Sequence, residues 1–426
     1  METTFALVDC ENFYVSCERA FCPALQDRPV VVLSNNDGCI VARSGAIKES
    51  GIPMGAPYFE WRDQLEAMNA AVLSSNYALY GDISRRVTSI LEEEALAVER
   101  YSIDECFLAL PALDRDALHR LGTRLRRRVR QWIGIPIRVG IGPTKTLAKI
   151  ADENAKARKR ADLGDGVYVC PDEPERRALL DCIPVGDIWG IGSAYETLLH
   201  EKGVDTAAEF RELPDPWIRS EMTVVGLRTA RELRGHPCLD LELVRPDRHT
   251  LIRSRSFGTR VESQDALMEA LVNHTERATE KLRSEDLVAK GIRVFITTKR
   301  FGPPPHYSNE MAGTLRAYTA RAAPFVRAAR RLLGPIYRDY VGYKKCGVCL
   351  YDLHPARPHQ TSLFGRERTK DERLMAAVDR VNDRYGSDTL HLAAAGTPDE
   401  RDWAMKRQRR SPRYTTRWDE LPVATA

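Results

Sequence analysis

Apolar and polar positions alternate between two periods along the first 160 residues. The run TFALVDC (4–10) is apolar and β-branched, the pattern of a strand. In NFYVSCERAF (12–21), Phe13, Cys17 and Phe21 fall four apart, which is helical spacing. RPVVVLS (28–34) reads as a second strand ended by the turn cluster NNDG, and 44–55 as a short helix closed by Gly51 and Pro53. A long amphipathic helix opens in 74–94, and 97–110 is a pair of strands or one bent strand. The next helix, 116–132, carries Leu118, Leu121, Leu125, Val129 and Trp132 on one face, with arginines elsewhere. IPIRVGIG (135–142) is a strand and 144–156 a helix. The pattern turns helical over 183–213, around a Gly-Ile-Gly hairpin. It returns to mixed strand and helix over 251–350, then becomes polar and proline-interrupted from about 355. The order is mixed α and β, with the sheet antiparallel in part.

Length and charge sharpen that outline. A chain of 426 residues exceeds one ordinary domain. It has no run of 18 apolar residues, so no membrane span or membrane partner is expected, and its N-terminus does not read as a signal peptide. Ten scattered cysteines then imply reduced thiols and a cytoplasmic setting, and CGVC (346–349), a lone CxxC with no second pair, reads as core strand ahead of a metal or redox site. The net charge of +4 hides an asymmetry: residues 245–345 hold 20 Lys+Arg against 10 Asp+Glu. Such segregation is expected of a surface that holds a polyanion, or of a solvated basic face.

The chemistry concentrates in YSIDECF (101–107), where Asp104 and Glu105 interrupt a run that otherwise asks to be buried. Two adjacent buried carboxylates are costly without compensation. Divalent cations would supply it, because Mg²⁺ takes hard oxygen ligands. Asp9, ending the first strand, is the third acid. Adjacent strand residues point to opposite faces, so Asp104 and Glu105 share a site only at a strand end, bulge or bend. Three acids around two metals suit in-line displacement at phosphorus; the acid pair alone also fits an edge or turn. Phe13 and Tyr14 lie one helical turn beyond Asp9. Lys145 and Lys149 share a helix face, fit either to neutralise a triphosphate or to meet solvent. Arg43 and Lys48, around the short helix of 44–55, carry the same two readings.

The stretches DCENFYVSCE, PVVVLSNNDGCIVAR, SSNYALYGDISRRV, YSIDECF, GIGPTKTLAK, DIWGIG, RELRGHPCL, SRSFG and SPRYTTRWDELP run in order from residue 9 to 422. Through them the chain resembles the Y-family DNA polymerases, and within these the UmuC branch. The resemblance implies an α+β multidomain fold: a right-hand polymerase of palm, fingers and helical thumb, plus an α/β little finger and a partly flexible C-terminal tail. It sets the palm at 1–182 with fingers inserted at about 22–76. A helix-hairpin-helix thumb follows at 183–245, the little finger at 246–353 and the tail at 354–426.

It further implies an error-prone DNA-directed DNA polymerase of the SOS response, transferring dNTPs onto a primer 3′-OH with two Mg²⁺ ions. Asp9, Asp104 and Glu105 fall at its metal-binding acids, with the Cys10 carbonyl a further ligand. Tyr14 falls at the steric gate that excludes a ribose 2′-OH, and Lys149 at a triphosphate-binding lysine. Phe13, Arg43 and Lys48 join the dNTP site, although Gly45 and Lys48 stand where other branches carry Tyr and Arg. Arg43 either compensates there or covers the templating base. Gly190 and Gly192 would seat a DNA phosphate or simply permit a tight turn. Arg253, Arg255, Arg260, Lys299 and Arg300 are candidate phosphate contacts. QTSLF (360–364) is similar to a sliding-clamp-binding peptide, anchored by Gln360, Leu363 and Phe364. The basic stretch 401–417 would bind DNA or an acidic partner, or be a solvated tail. Implied partners are primer–template DNA, dNTPs, a sliding clamp, a UmuD′-type accessory dimer and a RecA filament with ATP. The implied location is cytoplasmic, nucleoid-associated on DNA. A non-catalytic DNA scaffold and a metal-dependent nuclease are the rival readings.

Overall fold

The computed structural model describes residues 3–244, 247–299, 304, 306–356, 368–386, 388–396 and 407–421. Its contacts divide the chain into two units. The first comprises Met1–Ser34, Gly38–Arg245 and Arg409–Ala426; the second comprises Asn35–Asp37 and Pro246–Gln408.

The first unit is built on a five-stranded sheet of β1 (Thr4–Cys10), β5 (Ala97–Arg100), β6 (Glu105–Leu110), β7 (Ile137–Gly142) and β8 (Val167–Val169). Its order is β5-β6-β1-β7-β8, so β1 is central and pairs antiparallel with both β6 and β7. Strand alternation sends Ala6, Val8 and Cys10 to one face, into a core shared with α1 (Phe13–Phe21), α4 (Tyr77–Glu92) and α5 (Arg115–Ile133). Phe5 and Leu7 go to the other face, where they pack with Phe107 and with Ala148 of α6 (Lys145–Arg160). On α5, Leu118, Leu121, Leu125 and Val129 are buried as their spacing predicts. Trp132 is not: it is 59% exposed, and the Arg128 guanidinium lies over its ring at 4.2 Å.

A smaller sheet of β2 (Val30–Leu33), β3 (Ile40–Arg43) and β4 (Ala71–Ser74) has the order β3-β2-β4, with β4 at an edge. It packs with α2 (Gly45–Glu49) and α3 (Tyr58–Ala67) around Ile47, Ile52 and Leu65. The helical stretch that follows contains α7 (Glu175–Asp181), α8 (Ser193–Glu201), α9 (Ala207–Glu212) and α10 (Asp215–Leu233). These share a core with Leu147, Ile150 and Ala151 of α6.

The second unit is a four-stranded antiparallel sheet of β9 (Thr250–Val261), β10 (Leu287–Thr297), β11 (Ser308–Thr319) and β12 (Tyr343–Pro355), in the order β11-β10-β12-β9. One face packs with α11 (Gln264–Ser284) and α12 (Ala322–Ile336). Cys346 and Cys349 sit in β12, both buried. The polar stretch after 355 contains a helix its proline-interrupted pattern did not predict, α13 (Arg368–Tyr385). Asp379 on it pairs with Arg283 of α11 at 2.6 Å. No helix among the described residues is long and apolar enough to cross a membrane.

Candidate active site

Three elements converge on one end of the five-stranded sheet. Asp9 and Glu105 are directly opposed across β1 and β6, so they point to the same face. That face carries Phe5, Leu7 and Phe107 and receives α6. Asp104 lies one residue before β6, in a turn closed by the Tyr101 and Ser102 N–H groups donating to the Glu105 carbonyl at 3.1 and 3.0 Å. The Cys10 N–H donates to the Asp104 carbonyl at 2.9 Å. A strand end therefore resolves the face conflict within the acid pair.

α6 reaches this face because β7 presents Gly140 and Gly142. A Cβ on Gly140 would lie 2.1 Å from the Asp152 nitrogen and 2.4 Å from the Ala148 carbonyl oxygen, so no larger side chain fits. The close approach aligns a stripe of α6 with charged residues of the sheet. Lys145 donates to Glu99 at 2.7 Å, Lys149 to Glu105 at 3.0 Å, and Asp152 accepts from Arg138 at 3.0 Å. Arg138 also pairs with Asp9 at 2.7 Å, so one guanidinium bridges two carboxylates. Further along, Lys159 meets Glu11 at 2.6 Å.

This arrangement revises the expected lysine face. Lys145 is 4% exposed and held by Glu99, so its ammonium balances a buried carboxylate and does not face a ligand. The Lys149 ammonium lies beside Glu105 and 4.6 Å from the Tyr101 ring centre. Sequence reasoning missed Arg138 and Asp152. The only signal was an arginine inside an otherwise apolar strand run.

A second group of cations gathers near the start of α1. Lys48 donates to the Asn12 side chain at 2.5 Å. Burial, then the positive charges of Lys156, Arg43, Arg160 and Arg138, holds the Lys48 ammonium below its ordinary value. Arg43 donates to the Ile52 carbonyl, and its buried Nε has no hydrogen-bond partner among the described residues. Lys156 and Arg160, two and three turns beyond Lys149, are members that spacing alone did not single out.

Phe13 and Tyr14 separate in role. Phe13 is 3% exposed and belongs to the core, whereas Tyr14 is half-buried. The Tyr14 ring stacks on Tyr80 at 4.4 Å and meets Tyr77 edge-on at 6.1 Å. Burial, then the neighbouring Tyr77 and Asp104, pushes its phenol up to about 12, so it is neutral at physiological pH.

The donor set suits a hard divalent cation: three carboxylates at one sheet end, two of them held by a cationic side chain, Asp9 by Arg138 and Glu105 by Lys149. Burial pushes Asp9 up to about 7 against the pull of Arg138, with Asp152, Glu105 and Asp104 adding to the rise. Among the described residues no group of three His, Cys, Asp or Glu is gathered closely enough to hold a metal ion as it stands. Instead Asp9 is turned to Arg138, Glu105 to Lys149, and Asp104 accepts from Ser102 Oγ at 2.6 Å.

The other expected contacts are dispersed. Gly190 has φ +95, so its turn requires glycine, whereas Gly192 lies at ordinary φ as the N-cap of α8. On β9, Arg253 is half-buried; burial and then Arg255 hold its guanidinium below its ordinary value. Arg260 and Lys299 are exposed. By register Arg293 and Lys345 lie on the sheet face turned away from the helices, whereas Arg253 and Arg255, paired with Val348 and Cys346, lie on the helix side. Arg300 and the peptide anchors Gln360, Leu363 and Phe364 lie outside the described residues.

Comparison with known proteins bears on the fold and the family. Of solved structures, a chimeric Y-family DNA polymerase built from Dbh and Dpo4 matches with a TM-score of 0.64 at 17% identity, over 83% of this chain and 99% of that one. The fold is thus that of a Y-family polymerase. The impB/mucB/samB family model matches residues 8–153, its C-terminal domain model residues 248–363, and a domain of unknown function residues 372–424. Protein UmuC of Salmonella typhimurium is 41% identical over 98% of this chain and 99% of its own length. DNA polymerase IV of Moorella thermoacetica is 30% identical over 93% of this chain and 97% of its own. The chain belongs to the impB/mucB/samB family, the UmuC branch of the Y-family DNA polymerases. It is a DNA-directed DNA polymerase of the error-prone, lesion-bypassing kind, dependent on a divalent metal.

Proposed function

We propose that nucleotide transfer takes place at the end of the five-stranded sheet, where Asp9 and Glu105 face each other and Asp104 adjoins them. That juxtaposition is the observation that carries the reading. The primer 3′-OH attacks the α-phosphorus of the incoming dNTP, and pyrophosphate leaves. Two Mg²⁺ ions, held by Asp9, Asp104, Glu105 and the Cys10 carbonyl, would stabilise the charge on the attacking and leaving oxygens. Arg138 holds Asp9 at one position, and Lys149 does the same for Glu105 until a ligand competes for it. Lys48, Arg43 and Lys156 offer the positive charge that a triphosphate lacks, with Lys149 at the border of that seat. The Tyr14 ring, backed by Tyr80, closes the space a ribose 2′-OH would need.

In this reading residues 1–182 form the palm and inserted fingers, 183–245 the thumb and 246–353 the little finger. Gly190 and Gly192 would meet the duplex backbone in the thumb. Arg253, Arg255, Arg260, Lys299 and Arg300 would do so in the little finger, reading no sequence. Gln360, Leu363 and Phe364 would dock in a sliding clamp. A UmuD′-type dimer and a RecA filament with ATP complete the assembly, which acts in the SOS response on the nucleoid.

The test is primer extension on undamaged and abasic templates with Mg²⁺ and dNTPs, with and without accessory dimer, RecA filament and ATP. Extension past the lesion supports the reading and shows which partners are required. Tight primer–template binding with no extension under any of these conditions would replace it with the scaffold. Release of labelled nucleotides without dNTPs would replace it with the nuclease.

A further inference from the structure

Residues 409–414 of the basic C-terminal stretch do not behave as a solvated tail. Arg409 exchanges two hydrogen bonds with Ser74 at the edge of the small sheet: its carbonyl accepts from the Ser74 N–H at 3.0 Å, and its own N–H donates to Ser74 Oγ at 3.1 Å. Asn76, which is 1% exposed, donates to Ser411 Oγ at 2.9 Å and to the Pro412 carbonyl at 3.0 Å. The same Asn76 caps α4 by accepting from the Leu79 N–H at 3.4 Å. Three residues on, Tyr414 stacks against Phe21 at 5.1 Å.

Ser411 makes one contact of another kind. Its Oγ donates at 3.0 Å to Glu18, a carboxylate that is 1% exposed. The same Glu18 oxygen accepts from the Tyr80 hydroxyl at 2.6 Å. Tyr80 is fully buried, and its ring is the one that backs Tyr14. A carboxylate buried this deeply is tolerable only when hydrogen-bonded, and both hydroxyls supply that need. Burial lifts the Glu18 carboxyl, and the Tyr80 and Ser411 donors pull it back. A continuous path thus runs from the C-terminal segment to the ring proposed to choose the sugar.

We propose that the segment 409–414 is a strap that fixes the position of Tyr14 through Ser411, Glu18 and Tyr80, and so sharpens discrimination against ribonucleotides. The inference rests on the proposed gate role of Tyr14. It also gives a task to the end of the region matched as a domain of unknown function. That region is not one compact body: α13, in its first part, belongs to the second unit, whereas 409–421 belongs to the first. Ser411, Glu18 and Tyr80 are positioning residues; none touches substrate in this account.

The test measures the ratio of dNTP to rNTP incorporation by the full chain. A parallel measurement, equilibrium binding of dCTP and CTP on a dideoxy-terminated primer–template, needs no turnover. Tyr80→Phe keeps the ring and removes the hydroxyl, and should lower the ratio roughly three- to tenfold, the worth of one hydrogen bond. Ser411→Ala should lower it in the same direction, and Ser411→Thr should restore it. The double variant should be no worse than Tyr80→Phe alone, because both act through Glu18. An unchanged ratio in Tyr80→Phe and Ser411→Ala, or losses that multiply in the double variant, would overturn the strap. Tyr14→Ala separates the two levels. If it abolishes discrimination while the strap variants do not move it, only the strap fails. If it leaves discrimination intact, the gate itself fails.

Discussion

The end of the five-stranded sheet in the first unit and the exposed cations of the second unit hold their charges in opposite ways. At the end of the five-stranded sheet, charge is buried and paired: Arg138 between Asp9 and Asp152, Lys145 on Glu99, Lys149 on Glu105. In the second unit, Arg260 and Lys299 stand exposed, and among its titratable groups His274 of α11 is buried, 4% exposed, without bearing charge at neutral pH. The first arrangement fixes a few groups to within a hydrogen bond, as a reaction needs. The second spreads a field over a surface, as contact with a long polyanion needs. Precision costs desolvation and must be compensated locally; a field costs little and is screened by salt.

The sharpest way to break this contrast is to remove a cation from each side. Arg138→Leu leaves Asp9 and Asp152 facing each other without compensation and should cost about 3–5 kcal/mol of stability, read from urea unfolding. Arg260→Ala should stay within about 0.5 kcal/mol. Equal losses at the two positions would erase the distinction.

Acidity gives the next effect. Burial, then Arg255 and Arg253, pushes His274 down to about 4 from an ordinary value near 6.5. Its folded pKa is depressed, so the unfolded chain binds more protons across that window. The second unit therefore loses stability as pH falls from about 6.5 through 4, by roughly 3 kcal/mol in full. In the first unit burial raises Asp9 to about 7 and also raises Glu18. Those folded pKa values lie above the unfolded ones, so their contribution is fully present below the ordinary carboxylate range and is lost as pH rises through the folded value. Hydrogen exchange at pH 5 and pH 7 should show the units shifting in opposite directions, and His274→Gln should remove the acid sensitivity of the second. Parallel shifts would contradict the assignment.

The smallest effect is ionic. Arg260→Ala or Lys299→Ala should each reduce the log–log salt slope of primer–template binding by about 0.7–0.9 while leaving incorporation at saturating DNA unchanged. An unaltered slope would remove that residue from the DNA surface.

Strand and helix periods made much of this fold readable, and motif spacing pointed to the acids, of which Asp9 and Glu105 are opposed across β1 and β6. The helix expected over 116–132 is Arg115–Ile133, and the ambiguous 97–110 resolves into two strands with Asp104 in the turn between them. What stayed hidden depends on which faces meet. Nothing in the spacing of Arg138 and Asp152 says they touch, because the contact follows from α6 settling on Gly140 and Gly142. For the same reason Lys145 reads as exposed and is buried. The basic end of the chain reads as a DNA contact, a seat for an acidic partner or a solvated tail; its described part packs on α1 through Ser411 and Tyr414 and on the small sheet through Arg409. Local charge density cannot reveal a long-range docking partner whose recognition lies in one serine and one tyrosine.

The most direct test of the central claim is single-nucleotide incorporation by Asp104→Ala, under a condition where the unaltered chain extends primers. Loss on the order of a thousandfold or more, with folding and primer–template binding intact, is the predicted result. Incorporation at the unaltered rate would contradict it and move the chemistry away from this end of the sheet.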